Sequence, residues 1–261
     1  MRVVALTFHE VSGPNATPGQ GEAFYRLTEG ELDRLLAELR ALGYQSTSSR
    51  HFRAWQQGSN GLPQRTVVLT FDDGSVSHFE VVVPLLLRYR FSGTFFIPAG
   101  WVGRPGYMTW DQLRKLVFLG MEIGSHGMTH RPLTGLSREV VREELVRSKA
   151  LLEERLGIPI RALAAPGGFW DARVAEEVQR AGYEAAWVST IGTNGAKTHP
   201  LVLRRVVVRQ PFSIERIVSM VEGWQPAFWW AANQQALIQM LKRVLGVYRY
   251  EQLKRRLVPH A

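Results

Sequence analysis

The chain of 261 residues contains no cysteine, which excludes disulfide bonds and thiolate metal ligands. It also has no uninterrupted run of 18 or more apolar residues, so the sequence predicts no membrane-spanning helix. The N-terminal segment MRVVALTFHEV lacks the longer apolar stretch and the small-residue cleavage site of a signal peptide. We therefore interpret this segment as a first strand and expect a cytoplasmic protein.

Acidic residues are in the minority, since 23 Asp and Glu stand against 32 Lys and Arg and give a net charge of +9. This balance fits an anionic neighbour, such as phospholipid headgroups or a phosphorylated substrate, and it equally fits a solvated basic surface. The arginines are spread along the chain, and no nucleic-acid-binding motif accompanies them. We therefore expect no nucleic-acid partner.

Short β-branched segments alternate with longer amphipathic segments along residues 1–222. Two of the amphipathic segments begin with the spacing of a capping box, Thr28 with Glu31 and Thr109 with Gln112, which predicts helix starts at these points. Repeated β-α units with apolar strands predict a parallel sheet covered by helices, and about seven units indicate a closed or nearly closed α/β barrel. In such barrels the active site lies where the strands end and the loops begin.

The pattern changes at residue 223, where the strand signals stop and two helices are predicted, the second of them basic. We therefore predict a catalytic barrel over residues 1–222 and a C-terminal helical extension over residues 223–261. Two interpretations of the extension stay open. The aromatic FWWAAN segment and the basic helix could attach the protein peripherally to an anionic membrane, or the helices could cover the open side of the barrel.

Polar clusters follow the predicted strands, and they read TFHE (7–10), TFDDG (70–74), GSHGMTH (124–130) and AAPGG (164–168). His126 and His130 are four residues apart, so a helical turn or a curled loop can direct both imidazoles at one ion. One carboxylate of the Asp72–Asp73 pair would complete the three protein ligands of a catalytic zinc site, and the other could act as a general base. The same ligand set also serves non-haem iron oxygenases, which remain an alternative.

The motif LTFDDG followed by IGSHGMTH resembles the NodB-homology polysaccharide deacetylases, carbohydrate esterase family 4, over roughly residues 2–221. The resemblance implies a distorted (β/α)7 barrel and one divalent metal ion, usually zinc. It also implies removal of N- or O-acetyl groups from sugars, commonly N-acetylglucosamine units. Carried over to this chain, it makes Asp72 the general base and Asp73, His126 and His130 the metal ligands.

The chain departs from this family's pattern in two places. Ala164 stands where the third motif has an arginine that orients the base, so another group must tune Asp72. The backbone N–H of Gly167 can still serve as an oxyanion donor, because that role needs no side chain. The Leu-x-His motif that supplies the general acid has no clear match. His9, at the end of the first strand, is the candidate for that acid, and a histidine that merely orients a neighbour is the alternative.

Loops on the expected active-site side carry residues that could bind the substrate, and these are Trp101, Tyr107, Trp110, Pro166 and Trp170. Aromatic rings at such a rim stack on sugar faces. Ordinary packing of the loops on the barrel is the alternative for each of them. Trp101 and Trp170 are the preferred pair.

The sequence thus predicts a metal-dependent hydrolase that removes an N-acetyl group from a sugar, with an O-acetyl group as second choice. The expected substrate is an N-acetylhexosamine in a glycan or in a lipid- or nucleotide-linked precursor, and the expected cofactor is Zn²⁺. Two further alternatives stay open: a degenerate barrel that binds glycan without catalysis, and a deformylase or amidase that acts on another small amide.

Overall fold

A computed structural model describes the chain in the ranges 1–14, 23–59, 61–210, 212–223, 226, 228–230 and 232–233. The predicted basic helix of the extension, residues 248–257, lies outside the described residues, as does most of the helix predicted before it. The described ranges contain twelve strands and seven α-helices.

In chain order, the strands are β1 (Val3–Phe8), β2 (Glu10–Ser12), β3 (Arg26–Thr28), β4 (Gln45–Thr47), β5 (Thr66–Phe71), β6 (Thr94–Ile97), β7 (Glu122–Ser125), β8 (Ala162–Ala164), β9 (Ala185–Val188), β10 (Thr193–Asn194), β11 (Leu203–Arg204) and β12 (Val206–Val207). The α-helices are α1 (Glu29–Ala41), α2 (Ser49–Gln56), α3 (Val83–Arg88), α4 (Trp110–Phe118), α5 (Arg138–Leu156), α6 (Ala172–Arg180) and α7 (Ile214–Val221).

Seven strands form one continuous path in the order β1-β5-β6-β7-β8-β9-β11, and every neighbouring pair in this path is parallel. Strand β12 then pairs with β1 in parallel, so the sheet returns to the strand at which it began. Strand β4 adds to β5, and β10 adds to β1 in the antiparallel sense. The predicted distorted α/β barrel of seven strands is confirmed.

The barrel closes through one short segment, residues 203–207, which we call the seam. At its start Leu203 pairs with Trp187 of β9, and at its end Val206 pairs with Leu6 of β1. Arg205 lies between the two short strands and is fully buried. The β-branched stretch RRVVV (204–208) is typical of a single strand, but the structure forms two short strands because the chain passes from one partner strand to another.

Two apolar clusters follow from the alternation of side chains along the strands. The larger contains one face of the strands together with the helices; in α1 it includes Leu32, Leu35, Leu36 and Leu39 at helical spacing. The smaller contains the other strand face and Phe52 of α2, so it fills the inside of the barrel. Four alanines belong to it, which leaves room for larger groups: Ala5, Ala162, Ala164 and Ala185.

Both predicted capping boxes are present, at the starts of α1 and α4. The segment immediately before α3 is not α-helical: residues His78–Val82 form a π-helical turn. The N–H of Val83 donates to the carbonyl of His78, five residues back, and Pro84 has no N–H to continue the pattern. Helix α2, which the sequence analysis did not predict, begins at an N-cap formed by Ser48.

The described residues of the C-terminal extension contact the barrel. Phe228 is buried in the larger cluster, and the guanidinium carbon of Arg216 lies 3.2 Å from the ring centroid of Trp230. No helix in the described part of the chain is both long enough and apolar enough to cross a membrane.

Candidate active site

The polar clusters found in the sequence meet at one end of the barrel. Asp72 follows β5, His126 follows β7 and His9 follows β1. These strands are parallel, so their carboxyl ends lie at the same edge of the sheet.

Three side chains converge there as a candidate metal centre. Oδ1 of Asp73 lies 3.4 Å from Nε2 of His126 and 3.1 Å from Nε2 of His130. The three ligand atoms all lie within 4.8 Å of one another. Asp73 Oδ1 is buried and accepts no hydrogen bond from the described residues, so its lone pairs are available to a cation. These donors, two imidazole nitrogens and a carboxylate oxygen, are the type that a divalent zinc ion takes.

The lowered pKa of Asp73 and the hydrogen bond made by His126 both favour binding of a cation at this centre. Burial alone would raise the pKa of Asp73, but the neighbouring His126 and His130 hold this pKa well below its ordinary value. Nδ1 of His126 lies 2.7 Å from the carbonyl oxygen of Ala164. A carbonyl only accepts, so Nδ1 carries a proton, and in the neutral imidazole the lone pair of Nε2 faces the centre.

Backbone conformation explains how adjacent aspartates reach the same site. In a continuous strand their side chains would point to opposite faces. Asp73 instead has φ of 74°, in the left-handed region that non-glycine residues rarely adopt, so the strand ends there. His130 is also left-handed, with φ of 63°. Such conformations cost about 1–3 kcal/mol each and persist where the surrounding contacts impose them.

Asp72 is paired with Arg205, a residue that the sequence analysis missed. Nη1 of Arg205 donates to Oδ1 of Asp72 at 2.7 Å, and both side chains are buried. The guanidinium also lies over the ring of Phe96, 5.6 Å from its centroid. Burial would raise the pKa of Asp72, but the charge of Arg205, followed by that of His126, holds this pKa below its ordinary value. Arg205 thus tunes Asp72 from the seam, whereas Ala164 has no side chain that could.

His9 lies beside this pair and is half-buried. Nε2 of His78 donates to the backbone carbonyl of His9, which fixes the end of β1. Burial lowers the pKa of His9, and the charges of Asp73 and Asp72 oppose that effect. Its buried Nδ1 has no hydrogen-bond partner among the described residues, so this nitrogen does not orient a neighbouring group.

Of the predicted substrate-binding residues, Trp101 packs against the candidate ligand His130, and Tyr107 packs against Trp101. The ring of Trp101 is 4.8 Å from that of His130 and 4.9 Å from that of Tyr107, measured between centroids. Burial raises the pKa of Tyr107, and the charge of Asp73 adds to this effect. Trp101 and Tyr107 therefore form an aromatic wall beside the candidate metal centre.

The structure does not bring Trp110 or Trp170 to the ligands through any described contact. Trp110 begins α4 and lies under Arg155, with 5.9 Å between the guanidinium carbon and the ring centroid. Trp170 packs against the larger apolar cluster.

The turn after β8 also borders the centre. Pro166 is buried beside the ligand loop, where a Cβ on Gly127 would lie 3.7 Å from its Cγ. Gly167 is exposed in the same turn, with φ of 67°.

The chain is similar to known proteins in both sequence and fold. The sequence model of the family described as polysaccharide deacetylase matches residues 59–186. The match includes Asp72, Asp73, His126 and His130, while His9 and Arg205 lie outside it.

Two curated relatives illustrate the extent of the likeness. The chain is 22% identical to the protein YxkH of Bacillus subtilis over 218 residues, which cover 84% of this chain and 75% of that protein. It is 29% identical to the poly-β-1,6-N-acetyl-D-glucosamine N-deacetylase of Escherichia coli over 139 residues, which cover 47% of this chain. This chain therefore spans only 20% of the length of the Escherichia coli enzyme.

Among solved structures, the deacetylase PplD of Streptococcus pyogenes, determined in complex with acetate, superimposes with a TM-score of 0.77. The superposition covers 85% of this chain and 98% of that protein, at 21% identity. At this identity the likeness establishes the fold, which is the distorted barrel that the sequence predicted.

Proposed function

From the match of residues 59–186 to the polysaccharide deacetylase family, we infer that this chain hydrolyses an N-acetyl group on a sugar and uses one divalent metal ion, with Zn²⁺ as the first choice. The observation that carries the proposal is the convergence of Asp73, His126 and His130 immediately beside a buried, ionised Asp72. An O-acetyl ester is the second choice of substrate.

Asp73, His126 and His130 would hold the ion. When bound, it supplies a Lewis acid that polarises the acetyl carbonyl and lowers the pKa of water. The backbone N–H of Gly167, in the exposed turn after β8, would donate to the oxygen on which negative charge develops.

Asp72 would act as the general base. Its Oδ1 is occupied by Arg205, while its Oδ2 lies 3.9 Å from Nε2 of His126 and faces the candidate metal centre. Oδ2 is therefore the atom that takes the proton from the attacking water. The Arg205 charge keeps this carboxylate ionised, as a base requires.

His9 would act as the general acid that protonates the departing amine. Its position after β1 places it at the same barrel end as Asp72, and the charges of Asp73 and Asp72 favour its imidazolium form against burial, which lowers its pKa. This assignment supplies the group that the absent Leu-x-His motif would have provided.

The aromatic wall of Trp101 and Tyr107 would stack on the sugar ring, with the apolar ring face against the indole. The net charge of +9 favours an N-acetylhexosamine that carries a phosphate, as in a lipid- or nucleotide-linked precursor. Equal kcat/KM for neutral chitooligosaccharides and for a phosphate-bearing N-acetylhexosamine would remove the support for this preference.

Acetate release from an N-acetylglucosamine oligomer tests the proposal. We expect release by the zinc-loaded protein, loss of release with a chelator, and a decrease in kcat of about 10²–10⁴-fold in Asp72→Asn with zinc binding retained. The matched control is Asp33→Asn, an aspartate that pairs with Arg88 far from the site and should keep full activity.

Other outcomes would favour the alternatives. Oligomer binding and zinc binding without acetate release would indicate a barrel that binds glycan without catalysis. Release of formate from N-formyl sugars in preference to acetate would indicate a deformylase. Activity that requires oxygen would indicate an oxygenase.

A further inference from the structure

The loop between the two histidine ligands, residues 127–129, has an unusual backbone. Gly127 has φ of 76° and His130 has φ of 63°, so two left-handed residues stand within four positions. Glycine adopts this conformation readily, but it is unfavourable for His130, so contacts from outside the loop must stabilise it. The direction in which His130 points depends on those contacts.

The carbonyl side of the loop is held by the turn after β6. The N–H of Ala99 donates to the carbonyl of Gly127 at 3.0 Å, and the N–H of Gly100 donates to that of Met128 at 2.9 Å. These are backbone contacts, so they do not depend on any particular side chain.

The N–H of Gly127 donates to the hydroxyl of Ser125 at 3.1 Å, and the other two N–H groups of the loop are held by a single side chain, Glu144 of α5. Its Oε2 accepts from the backbone N–H groups of Met128 at 2.9 Å and of Thr129 at 2.8 Å. Its Oε1 accepts from the hydroxyl of Thr129 at 2.5 Å. One carboxylate therefore takes up three donors from two consecutive residues of the loop.

Glu144 is buried, and no basic side chain among the described residues lies within ion-pair distance of it. A buried carboxylate is costly unless hydrogen bonds replace its hydration. Here all three replacements come from the ligand loop. The burial of this charge is thus linked directly to the loop conformation, and not to a neighbouring cation.

We propose that Glu144 is a positioning residue of the metal site, which fixes the ligand loop and so aims His130 at the ion. The inference rests on the proposed metal site and adds a residue to it. Glu144 contacts neither the candidate ligand atoms nor the space for substrate, so its effect passes through the loop.

The test is the dissociation constant of Zn²⁺, measured by competition with a chelating indicator. In Glu144→Ala the loop loses three acceptors, and we expect zinc affinity to fall about 10–100-fold. In Glu144→Gln the side-chain oxygen can still accept both backbone N–H groups, and the amide can donate to the Thr129 hydroxyl. We therefore expect Glu144→Gln to stay within about threefold of the unsubstituted protein.

Glu143→Ala is the matched control, because Glu143 is the adjacent glutamate of the same helix and is exposed, paired with Arg147. It should bind Zn²⁺ like the unsubstituted protein. Thr129→Val removes only the hydroxyl donor and provides a milder test if Glu144→Ala fails to fold. We expect it to weaken zinc binding by about threefold to tenfold.

Unweakened zinc binding by Glu144→Ala, or by Thr129→Val if the former does not fold, would overturn the inference. Equal weakening in Glu144→Gln and Glu144→Ala would also overturn it, since a long-range charge effect would then replace the hydrogen bonds. Absence of zinc binding by the unsubstituted protein would refute the metal site itself, and with it this inference.

Discussion

Neighbouring aspartates in this protein have different partners, and this difference defines the site. Asp73 turns toward two imidazoles through its left-handed backbone, whereas Asp72 keeps its strand position and meets a guanidinium. The pKa of Asp72 is lowered chiefly by Arg205 and that of Asp73 chiefly by His126 and His130, while His126 also contributes to the lowering at Asp72. A candidate metal ligand and a candidate base therefore lie side by side, each with its own main partner.

Arg205 should control the pH range over which Asp72 can act. Without that charge, burial dominates and the pKa of Asp72 rises, so the base is protonated up to a higher pH. We expect the acidic limb of the kcat/KM profile of Arg205→Met to move to higher pH. Its activity should fall most below neutral pH and recover partly above it. Acetate release measured from pH 5 to pH 9 checks this.

The same substitution should reduce stability in a pH-dependent way. A carboxyl whose pKa is depressed by folding stabilises the folded state above its unfolded pKa, and this contribution is lost as the pH falls. Leaving Asp72 buried without its partner should cost about 3–5 kcal/mol at neutral pH. Arg204→Met, which changes the exposed neighbouring arginine, is the control for urea unfolding and for the pH profile. Identical behaviour of the two variants would contradict this assignment.

The ligand residues could be proposed from the sequence because both motifs are short and local. Arg205 could not, because its partner lies 133 residues earlier in the chain and arginine in a strand is usually exposed. The burial of Glu144 could not be predicted either, because a single glutamate in a charged helix carries no sequence pattern that indicates burial. Residues whose partners lie far away in the sequence can be identified only once the fold is known.

At the level of secondary-structure elements, the sequence predicted correctly those features whose interacting residues lie within a few positions of each other. Both capping boxes formed as their spacing predicts, because donor and acceptor are three residues apart. Short elements without a strong pattern were missed, such as β4 and α2, whose Phe52 enters the inside of the barrel. The split of the seam strand also depends on two distant partners, β9 and β1.

Two glycines should respond in opposite ways to the same substitution. A Cβ on Gly124 of β7 would lie 2.5 Å from two ring carbons of Phe96 and 3.0 Å from the carbonyl oxygen of Ala162, so Gly124→Ala should destabilise the fold by about 1–3 kcal/mol. Gly30 of α1 has open space around it, so Gly30→Ala should stabilise by about 0.5 kcal/mol. Urea unfolding of both variants measures the difference, and destabilisation by Gly30→Ala or neutrality of Gly124→Ala would contradict it.

At the level of the whole molecule, the predicted resemblance to the polysaccharide deacetylases is confirmed by the family model that matches residues 59–186, and the predicted enzyme class of carbohydrate deacetylase is confirmed by the relatives. The division at residue 222 stays a prediction, as does any role of the extension at a membrane. In the described part of the extension Phe228 is buried, and the ring of Trp230 lies against Arg216 of α7 and 6.4 Å from that of Phe212 between centroids.

A chain that ends at residue 222 should retain the site, because every proposed ligand and catalytic group lies before α7. We expect an unchanged dissociation constant for Zn²⁺. Loss of the buried Phe228 should lower stability by about 2–3 kcal/mol, and thus Tm by about 5–10 °C.

Phe228→Ala in the full chain should reproduce most of this decrease in Tm. An unfolded or zinc-free shortened chain would show instead that the extension is an integral part of the domain.

The seam has a consequence for how the protein is made. A chain growing from its N-terminus exposes Asp72 long before the seam residues exist, and until they dock, β1 and β9 are open sheet edges. Pairing of the seam with β1 joins segments that are far apart in the sequence, and the entropic cost of closing such a long loop slows this step. We therefore expect the seam to dock late in folding. When the seam docks, Arg205 also comes to lie beside Asp72 and supplies its counter-charge. We therefore expect nascent and truncated chains that lack the seam to be inactive, with activity only once synthesis has passed the last strand.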